Sequence, residues 1–375
     1  MKQNVQLANI WGIPVGFNRS WYLIFALVMW TLAARYMPEA YPGLAVPHYW
    51  MLAIITTILF FGSIIWHELA HALLALHHGI GVKRITLFLF GGVAEMEQES
   101  ETPWAEFSIA AAGPLSSFIA AGVFFLIYQF SQGIVWLNAP ASYLMQINLA
   151  LAIFNLIPGF PLDGGRILRS IVWAYSNQIK ATKIAATTGQ VFAYGFMGIG
   201  VFQALSGDVA SGLWIAFIGW FLNNAASVYG QQADLQSALD NVPVEEIMQP
   251  KWSIVDGNTP ISHIVNEKVI KEGVRAYFVK NSGYGYSDDA APHGMLTLTD
   301  IAMLDKKSWS LTPANQIMTA WNQLLTTSPK VPILNAVRQM DERNINQLPV
   351  LKNGQLVGVL SRENVNQYLQ MQAGN

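Results

Sequence analysis

Long apolar segments separated by short polar stretches dominate residues 1–230 of the chain. Because a helix needs about 20 apolar residues to cross a bilayer, this pattern predicts about six transmembrane helices. The last two are separated only by Asp208 and its neighbours, so they are expected to form a helical hairpin. The predicted spans are residues 20–34, 49–76, 107–130, 139–162, 184–207 and 209–232. The first is short and has two interpretations, a retained anchor or the apolar region of a signal peptide, and Arg19 ahead of it favours the anchor.

Residues 81–93 have a different pattern, rich in strand-forming side chains and closed by Gly91 and Gly92. The segment is too short to cross a bilayer. Irregular or extended backbone is tolerated at membrane depth only where protein or water satisfies its hydrogen bonds. We therefore predict a re-entrant or interfacial β segment here.

The fraction of charged residues differs between two parts of the chain. Residues 1–230 contain 9 Lys or Arg and 9 Asp or Glu, whereas residues 231–375 contain 12 and 14. Over the whole chain only 12% of residues are charged, against about 25% in an ordinary soluble domain, which excludes a typical soluble enzyme and a disordered chain. The net charge of −2 excludes an electrostatic nucleic-acid binder. The chain has no cysteine, so any metal site must use His, Asp or Glu.

The basic residues of the short loops predict the orientation in the membrane. With six spans, one side of the bilayer receives eight Lys or Arg and the other receives only Arg35. This asymmetry predicts a multi-pass protein of the cell membrane with both termini in the cytoplasm.

His67-Glu68-Leu69-Ala70-His71 is an H-E-x-x-H motif near the end of the second predicted span. Positions i and i+4 share one face of a helix, so both imidazoles can bind a single ion. Glu68 beside them can take a proton from a water molecule that zinc has acidified. Ionisable side chains are costly inside a membrane, so this trio predicts a catalytic zinc site.

A catalytic zinc usually has three protein ligands, and Asp163 is the candidate for the third. It follows Pro158 and Pro161, which break the fourth apolar stretch, and precedes a glycine pair that lets the backbone turn closely past a ligand. The competing interpretation is that Asp163 only caps the following helix.

Asn155 precedes the same helix break and is close enough in sequence to belong to the site. A buried amide in a membrane must form hydrogen bonds. Asn155 could therefore hold the substrate peptide or donate to a developing oxyanion.

Together these motifs resemble the site-2 protease family of intramembrane zinc metalloproteases. The resemblance covers most of residues 1–230 and rests on the H-E-x-x-H motif, Gly91-Gly92, Ala112-Gly113-Pro114, Asn155-Leu156-Ile157-Pro158 and Pro161-Leu162-Asp163-Gly164-Gly165. It implies that His67, His71 and Asp163 bind one zinc ion, that Glu68 is the general base and that Asn155 helps to bind the substrate. The implied substrate is a transmembrane protein, such as an anti-sigma factor or another membrane-tethered regulator.

An internal repeat of about 65–70 residues organises the C-terminal part. Val244-Glu245-Glu246-Ile247-Met248 recurs as Ala314-Asn315-Gln316-Ile317-Met318, and the segment from Gly294 parallels the one from Gly358. Strand and helix patterns alternate in both copies. This part resembles a tandem pair of CBS domains with an insertion around residues 284–292.

The CBS resemblance implies an adenine nucleotide whose ribose is held by Thr297 and Asp300. In the second copy Ser361 matches but Asn364 replaces the acid, which weakens the case for a second equivalent site. The alternative is a regulatory or dimerisation module without a ligand, and a homodimer through the CBS pair is a possible assembly.

The predicted fold is a polytopic α-helical membrane domain with a re-entrant β segment, followed by a soluble α/β tandem CBS pair. The predicted boundaries are a protease domain at 1–230, a linker at 231–242, and CBS domains at 243–308 and 309–375. We expect an intramembrane zinc endopeptidase modulated by the CBS pair. The alternative is a CBS-gated transporter or channel, which would explain Asp163 in a broken helix but not Glu68 between two His at ligand spacing.

Overall fold

The computed structural model describes residues 5–88, 91–240, 242–280 and 292–373. The chain divides into two compact units, and the boundary between Asp234 and Leu235 lies within one long helix. The first unit contains the long apolar helices, and the second is built from short strands and helices.

Within the described part of the chain, five helices are long and apolar enough to cross a membrane: α3 (Val46–His77), α4 (Pro103–Phe130), α5 (Val135–Asn155), α7 (Gln178–Leu205) and α8 (Val209–Asp240). They correspond to the second to sixth predicted spans. The first predicted span lies in a continuous helical segment made of α1 (Trp21–Thr31), a π-helical turn (Leu32–Tyr36) and α2 (Met37–Ala40).

Two predicted boundaries are wrong. The fourth span was expected to reach residue 162, but α5 ends at Asn155 because Pro158 and Pro161 cannot continue a helix. The sixth was expected to end at residue 232, but α8 continues to Asp240, so it takes up most of the predicted linker.

A four-stranded sheet packs against the helices of the first unit. Its strands are β1 (Val5–Ile10), β2 (Ile13–Phe17), β3 (Val82–Phe88) and β4 (Gly91–Met96), in that order, with β2 and β3 parallel and the other pairs antiparallel. The segment predicted as a single β element therefore contributes to two strands. Gly91, the first residue of β4, has a φ of 130°, which favours glycine. Ile13, Val15 and Ile85 of the sheet form one buried cluster with Leu69 and Ala72 of α3, which fixes the sheet beside the H-E-x-x-H turn.

Residues 156–162 connect α5 to the short helix α6 (Asp163–Tyr175) without forming a helix themselves. The start of α6 packs directly on this connection. A Cβ atom added to Gly165 would lie 2.6 Å from the carbonyl oxygen of Gly159, so only glycine fits at that position. Because of this close contact, Asp163 is held against the turns that precede it.

The second unit contains a four-stranded sheet and a β-hairpin. The sheet has the order β5 (Ser253–Asp256), β6 (Ala276–Lys280), β7 (Gly294–Thr297) and β8 (Thr319–Ala320), and β9 (Gln347–Lys352) pairs with β10 (Gln355–Ser361). The helices are α9 (Ile261–Ile264), α10 (Ile270–Glu272), α11 (Leu298–Ala302), α12 (Ala314–Ile317), α13 (Ile333–Glu342) and α14 (Arg362–Ala373). The remaining helical segments are a π-helical turn at Val265–Val269 and 3₁₀ turns at Val244–Glu246, Lys306–Ser308 and Trp321–Gln323. Most of the predicted insertion, residues 284–291, lies outside the described residues.

The two halves of this unit end in the same way, with a strand that leads directly into a helix. In the first half β7 leads into α11, and in the second half β10 leads into α14. The apolar core of the first half includes Tyr277, Leu296 and Ile261, which are completely or almost completely buried.

Candidate metal centre

Helix α3 brings both histidines of the H-E-x-x-H motif to one face. His67 and His71 are each 4% exposed, and their Nε2 atoms are 3.2 Å apart. Each ring therefore directs its Nε2 atom toward the same point, where a single ion could contact both.

Asp163 reaches this point from the first position of α6. Its Oδ2 atom lies 3.2 Å from Nε2 of His67 and 3.3 Å from Nε2 of His71. The N-cap of α6 is Leu162, which forms no side-chain capping bond. Helix capping, the competing interpretation of Asp163, therefore does not account for the position of its carboxylate.

The donor set fits a zinc ion in chemistry and spacing. Among the described residues, His67, His71 and Asp163 form the group of His and acidic side chains whose ligand atoms converge. Bonds of about 2.0–2.1 Å to a tetrahedral zinc place neighbouring ligand atoms about 3.3 Å apart. The three observed separations of 3.2, 3.2 and 3.3 Å agree with this value.

Helix α4 orients the two imidazoles. The carbonyl oxygen of Ile109 lies 2.7 Å from Nδ1 of His71, and because a carbonyl only accepts, that nitrogen carries the hydrogen and leaves Nε2 free for a metal. The Ser117 hydroxyl lies 2.9 Å from Nδ1 of His67 and can accept in the same way. The sequence indicated neither partner, because a backbone carbonyl has no distinctive residue type and Ser117 is one of several small residues in α4.

Gly113 allows α4 to come this close. A Cβ atom at Gly113 would lie 2.6 Å from Nε2 of His67 and would overlap the ring of His71. At this point α4 therefore contacts the histidine pair directly.

Glu68 lies between the metal site and the edge strand β4. Its Oε2 atom accepts a hydrogen bond of 3.2 Å from the backbone N–H of Ala94. Gly92 of the same strand packs on the side chain, since a Cβ atom there would be 2.5 Å from Cγ of Glu68. The strand thus holds one carboxylate oxygen of Glu68.

The strand pair β3–β4 carries its own ion pair. The Nε atom of Arg84 donates to Oε2 of Glu95 over 2.9 Å. This hydrogen bond holds the pKa of Glu95 below its ordinary value. The pair links the two strands at directly opposed positions.

Asn155 lies at the end of the helix that precedes the connection to Asp163. It is the last residue of α5 and is half-buried, and residues 156–162 separate it from Asp163. A role in substrate binding stays a prediction.

Thr297 and Asp300 lie at the start of α11 and form a capping box. The hydroxyl and the backbone N–H of Thr297 donate to Oδ2 of Asp300 over 2.7 and 2.8 Å. Both residues line a cavity of about 170 Å³, together with Asn344, Ile345 and Asn346.

Ser361 and Asn364 reproduce this geometry at the start of α14. The Ser361 hydroxyl donates to Oδ1 of Asn364 over 2.6 Å. The second copy therefore keeps the local fold of the first but lacks its negative charge.

Comparison with known proteins agrees with this architecture. The family model of Peptidase family M50 matches residues 55–142 and 135–196, and that of the CBS domain matches residues 314–370. A protein of Synechocystis sp. named as a zinc metalloprotease is 34% identical over 380 residues, which cover 100% of this chain and 97% of the relative. Rip3 of Mycobacterium tuberculosis, also named as a zinc metalloprotease, is 30% identical over 91% of this chain and 86% of its own length. The solved site-2 protease of Methanocaldococcus jannaschii is 31% identical, with a TM-score of 0.42, and covers 60% of this chain and 94% of that protein.

The family model and the two zinc metalloprotease relatives confirm the predicted family and the predicted enzyme class, and they give no support to the transporter or channel alternative. The match over the full chain includes both the H-E-x-x-H region and the C-terminal unit. The chain therefore belongs to peptidase family M50, the site-2 proteases, as an intramembrane zinc metalloendopeptidase with a CBS domain at residues 314–370.

Proposed function

We propose that His67, His71 and Asp163 hold the catalytic zinc ion, and that Glu68 is the general base for hydrolysis of a peptide bond within a transmembrane segment of a membrane-anchored protein. The observation that carries the proposal is the convergence of two Nε2 atoms and one carboxylate oxygen, with separations of 3.2–3.3 Å. A zinc ion bound there would supply the Lewis acidity that makes water nucleophilic at neutral pH.

The groups around the site transfer protons and orient the imidazoles. Glu68 takes the proton of the attacking water and returns it to the leaving nitrogen, as a general acid–base group does. Since Ala94 holds Oε2 of Glu68, the proton transfers use Oε1. Ile109 and Ser117 keep both imidazoles in one orientation throughout.

The substrate must be presented as extended chain, because the carbonyl groups of a helix are already hydrogen-bonded. Strand β4 is at one edge of its sheet, and Ala94 and Gly92 of this strand contact Glu68. An unwound segment that pairs with this edge would lie beside the general base. We propose that Asn155, at the end of α5, holds the backbone of this segment.

The test is cleavage of a transmembrane test substrate by the full chain in detergent, with bound zinc measured on the same samples. Glu68→Gln should retain one zinc ion per chain and lose cleavage, whereas His67→Ala and Asp163→Asn should lose both. Glu101→Gln, an exposed acid in the same half of the chain, is the matched control and should behave as the wild type. Cleavage that persists in Glu68→Gln would refute the assignment of the general base.

We further propose that Thr297 and Asp300 hold the ribose of an adenine nucleotide and that the nucleotide modulates cleavage. Support comes from the cavity of about 170 Å³ that both side chains line. Calorimetry of the full chain with AMP and ATP should detect binding that Asp300→Ala removes. Asn364→Ala, the matched change in the second copy, should leave binding intact. Absence of heat at millimolar nucleotide would remove this proposal and favour a module without a ligand.

We propose that the protein crosses the cell membrane several times with both termini in the cytoplasm, as the distribution of Lys and Arg indicates. The absence of cysteine makes the topology directly testable. Single cysteines placed at Gln232 and at Ser206 should react with an impermeant thiol reagent from opposite sides of the membrane. Equal reactivity from one side would contradict the hairpin formed by α7 and α8.

A further inference from the structure

The position of Asp163 depends on the connection that precedes it. Residues 156–162 form no regular helix or strand, yet the Asp163 carboxylate lies within 3.3 Å of both histidines. A ligand on an irregular segment needs neighbours that fix the segment, because metal sites tolerate little displacement.

Phe160 is the anchor of this connection. Its side chain is 2% exposed, and its ring stacks on that of Tyr229 in α8 with centroids 4.2 Å apart and planes at 9°. Its backbone N–H donates to the carbonyl oxygen of Ala185 in α7 over 3.1 Å. Two of the long helices therefore hold one residue, three positions before Asp163.

Arg169 of α6 contacts the same ring. Its guanidinium carbon lies 5.4 Å from the centroid of Phe160, within the range of a cation–π contact. The Nε atom of Arg169 donates to Oε1 of Glu106 over 2.6 Å. Glu106 lies in the first turn of α4 and is completely buried.

A buried carboxylate is costly unless it is paired, and among the described residues Glu106 forms its ion pairs with two arginines of α6. Arg169 forms a close ion pair with Oε1 of Glu106, and the Nε atom of Arg166 lies 3.9 Å from the same oxygen. Ile109, which orients His71, follows Glu106 by one turn of α4. The ion pair therefore ties the helix that orients the histidines to the helix that begins with Asp163.

We propose that Glu106, Arg169, Phe160 and Tyr229 form a clamp, here called the Phe160 clamp, that positions the Asp163 carboxylate against His67 and His71. Phe160 is the central positioning residue and does not itself touch the reacting atoms. The inference rests on the proposed role of Asp163 as a metal ligand.

The clamp predicts a specific effect on metal binding, which loss of packing alone would not produce. Phe160→Leu and Tyr229→Leu should weaken zinc affinity by about 10–100-fold, the range found when groups that orient metal ligands are removed. Tyr229→Phe retains the stacked ring and should stay within about twofold of the wild type. Phe202→Leu and Tyr194→Leu, at exposed positions of α7, are the matched controls.

The experiment measures zinc affinity of the full chain in detergent by competition with a chromophoric chelator. The absorption spectrum of the Co²⁺-substituted protein gives a second readout that depends on ligand geometry. The kcat for a test substrate should fall with zinc affinity while KM stays near the wild-type value. Wild-type zinc affinity and an unchanged Co²⁺ spectrum in a folded Phe160→Leu protein would overturn the proposal, and if that variant does not fold, Tyr229→Leu decides in the same way.

Asp163→Asn separates this inference from the proposed function. Loss of zinc in Asp163→Asn with wild-type affinity in the clamp variants refutes the clamp alone. Retention of full zinc affinity in Asp163→Asn refutes the ligand assignment on which the clamp rests.

Discussion

Gly113 of α4 lies against both imidazoles of the candidate metal centre, so Gly113→Ala tests the geometry of this centre directly. A Cβ atom at this position would lie 2.6 Å from Nε2 of His67. It would be closer still to the ring of His71. Ordinary van der Waals contact begins at 3.4 Å, so α4 and the imidazoles must move apart by at least about 0.8 Å to clear His67, and by more to clear His71.

The size of that movement determines how much zinc affinity we expect to be lost. Zinc–ligand distances tolerate about ±0.2 Å, and the same movement withdraws the Ile109 carbonyl and the Ser117 hydroxyl from the imidazoles. Loss of a single orienting partner of this kind costs about 10–100-fold in metal affinity. We expect Gly113→Ala to weaken zinc binding by about 100-fold and to reduce cleavage by at least as much.

Zinc content after dialysis against a chelator, and cleavage of a transmembrane substrate, are the two measurements. Gly122→Ala is the matched control, because Gly122 is in the same helix and has no neighbouring atom within 4 Å of an added Cβ. Gly122→Ala should bind zinc and cleave as the wild type does. A Gly113→Ala protein that keeps zinc affinity and activity within about threefold of the wild type would show that α4 does not constrain the histidines.

Three further predictions follow from neighbouring contacts. Ser117→Ala should weaken zinc affinity about tenfold. Ser116→Ala should not, because the Ser116 hydroxyl donates to the Gly113 carbonyl of its own helix. Equal effects of the two substitutions in chelator competition would contradict the role of Ser117. Gly189→Ala should lower the thermal denaturation midpoint, because the added Cβ would be 2.9 Å from the backbone nitrogen of Phe160. Gly195→Ala is the control, since its added Cβ would meet no atom within 4 Å. Equal midpoints for the two variants would show that α7 can move away from Phe160 without loss of stability. Since Arg84 lowers the pKa of Glu95, the pair stabilises the fold at pH values above the ordinary Glu pKa of about 4.3, and this contribution disappears as the pH falls through the lowered pKa. The denaturation midpoints of wild type and Glu95→Gln should therefore differ at pH 7 and converge in acid, and a constant difference would refute the assignment.

The helical part of the site could be predicted from the sequence because its geometry is local. A spacing of four residues places His67 and His71 on one face of any helix, and the apolar pattern around them makes that helix certain to form in a membrane. Pro158 and Pro161 mark the end of the preceding helix for an equally local reason. Asp163 stood out because few carboxylates occur in residues 1–230.

The sheet could not be predicted in the same way. Strand β2 pairs with β3 through Val15 and Ile85, which are 70 positions apart in the sequence. Such pairing depends on tertiary contacts that no short pattern encodes. For this reason the strands β1 and β2 were missed, and residues 81–93 were expected to form one β element although they contribute to two strands.

The contacts that orient the two imidazoles could not be predicted from the sequence, because they involve groups that no distinctive residue type identifies. The Ile109 carbonyl is identical to every other backbone carbonyl, and Ser117 is one of several small residues in α4. Glu106 did carry a signal, because an acid at the start of an apolar span is expensive to bury. Its partner became visible only when α6 was placed, since Arg169 is 63 positions away.

The break between α5 and α6 explains why this fold can hold a hydrolytic site inside a helical bundle. A continuous fourth span would satisfy all its backbone groups internally and would place residue 163 beyond its own end. Ending α5 at Asn155 and restarting at Asp163 turns the chain back, so that a carboxylate at the first position of α6 faces the histidines of α3. The interruption leaves residues 156–162 as a non-helical segment. Helix α7 holds this segment through the backbone of Phe160, and α8 holds it through the Phe160 ring. If Asp163 is the third ligand, as proposed, the stability of the connection and the alignment of its carboxylate depend on the same contacts, and a substitution that loosens one is expected to weaken the other.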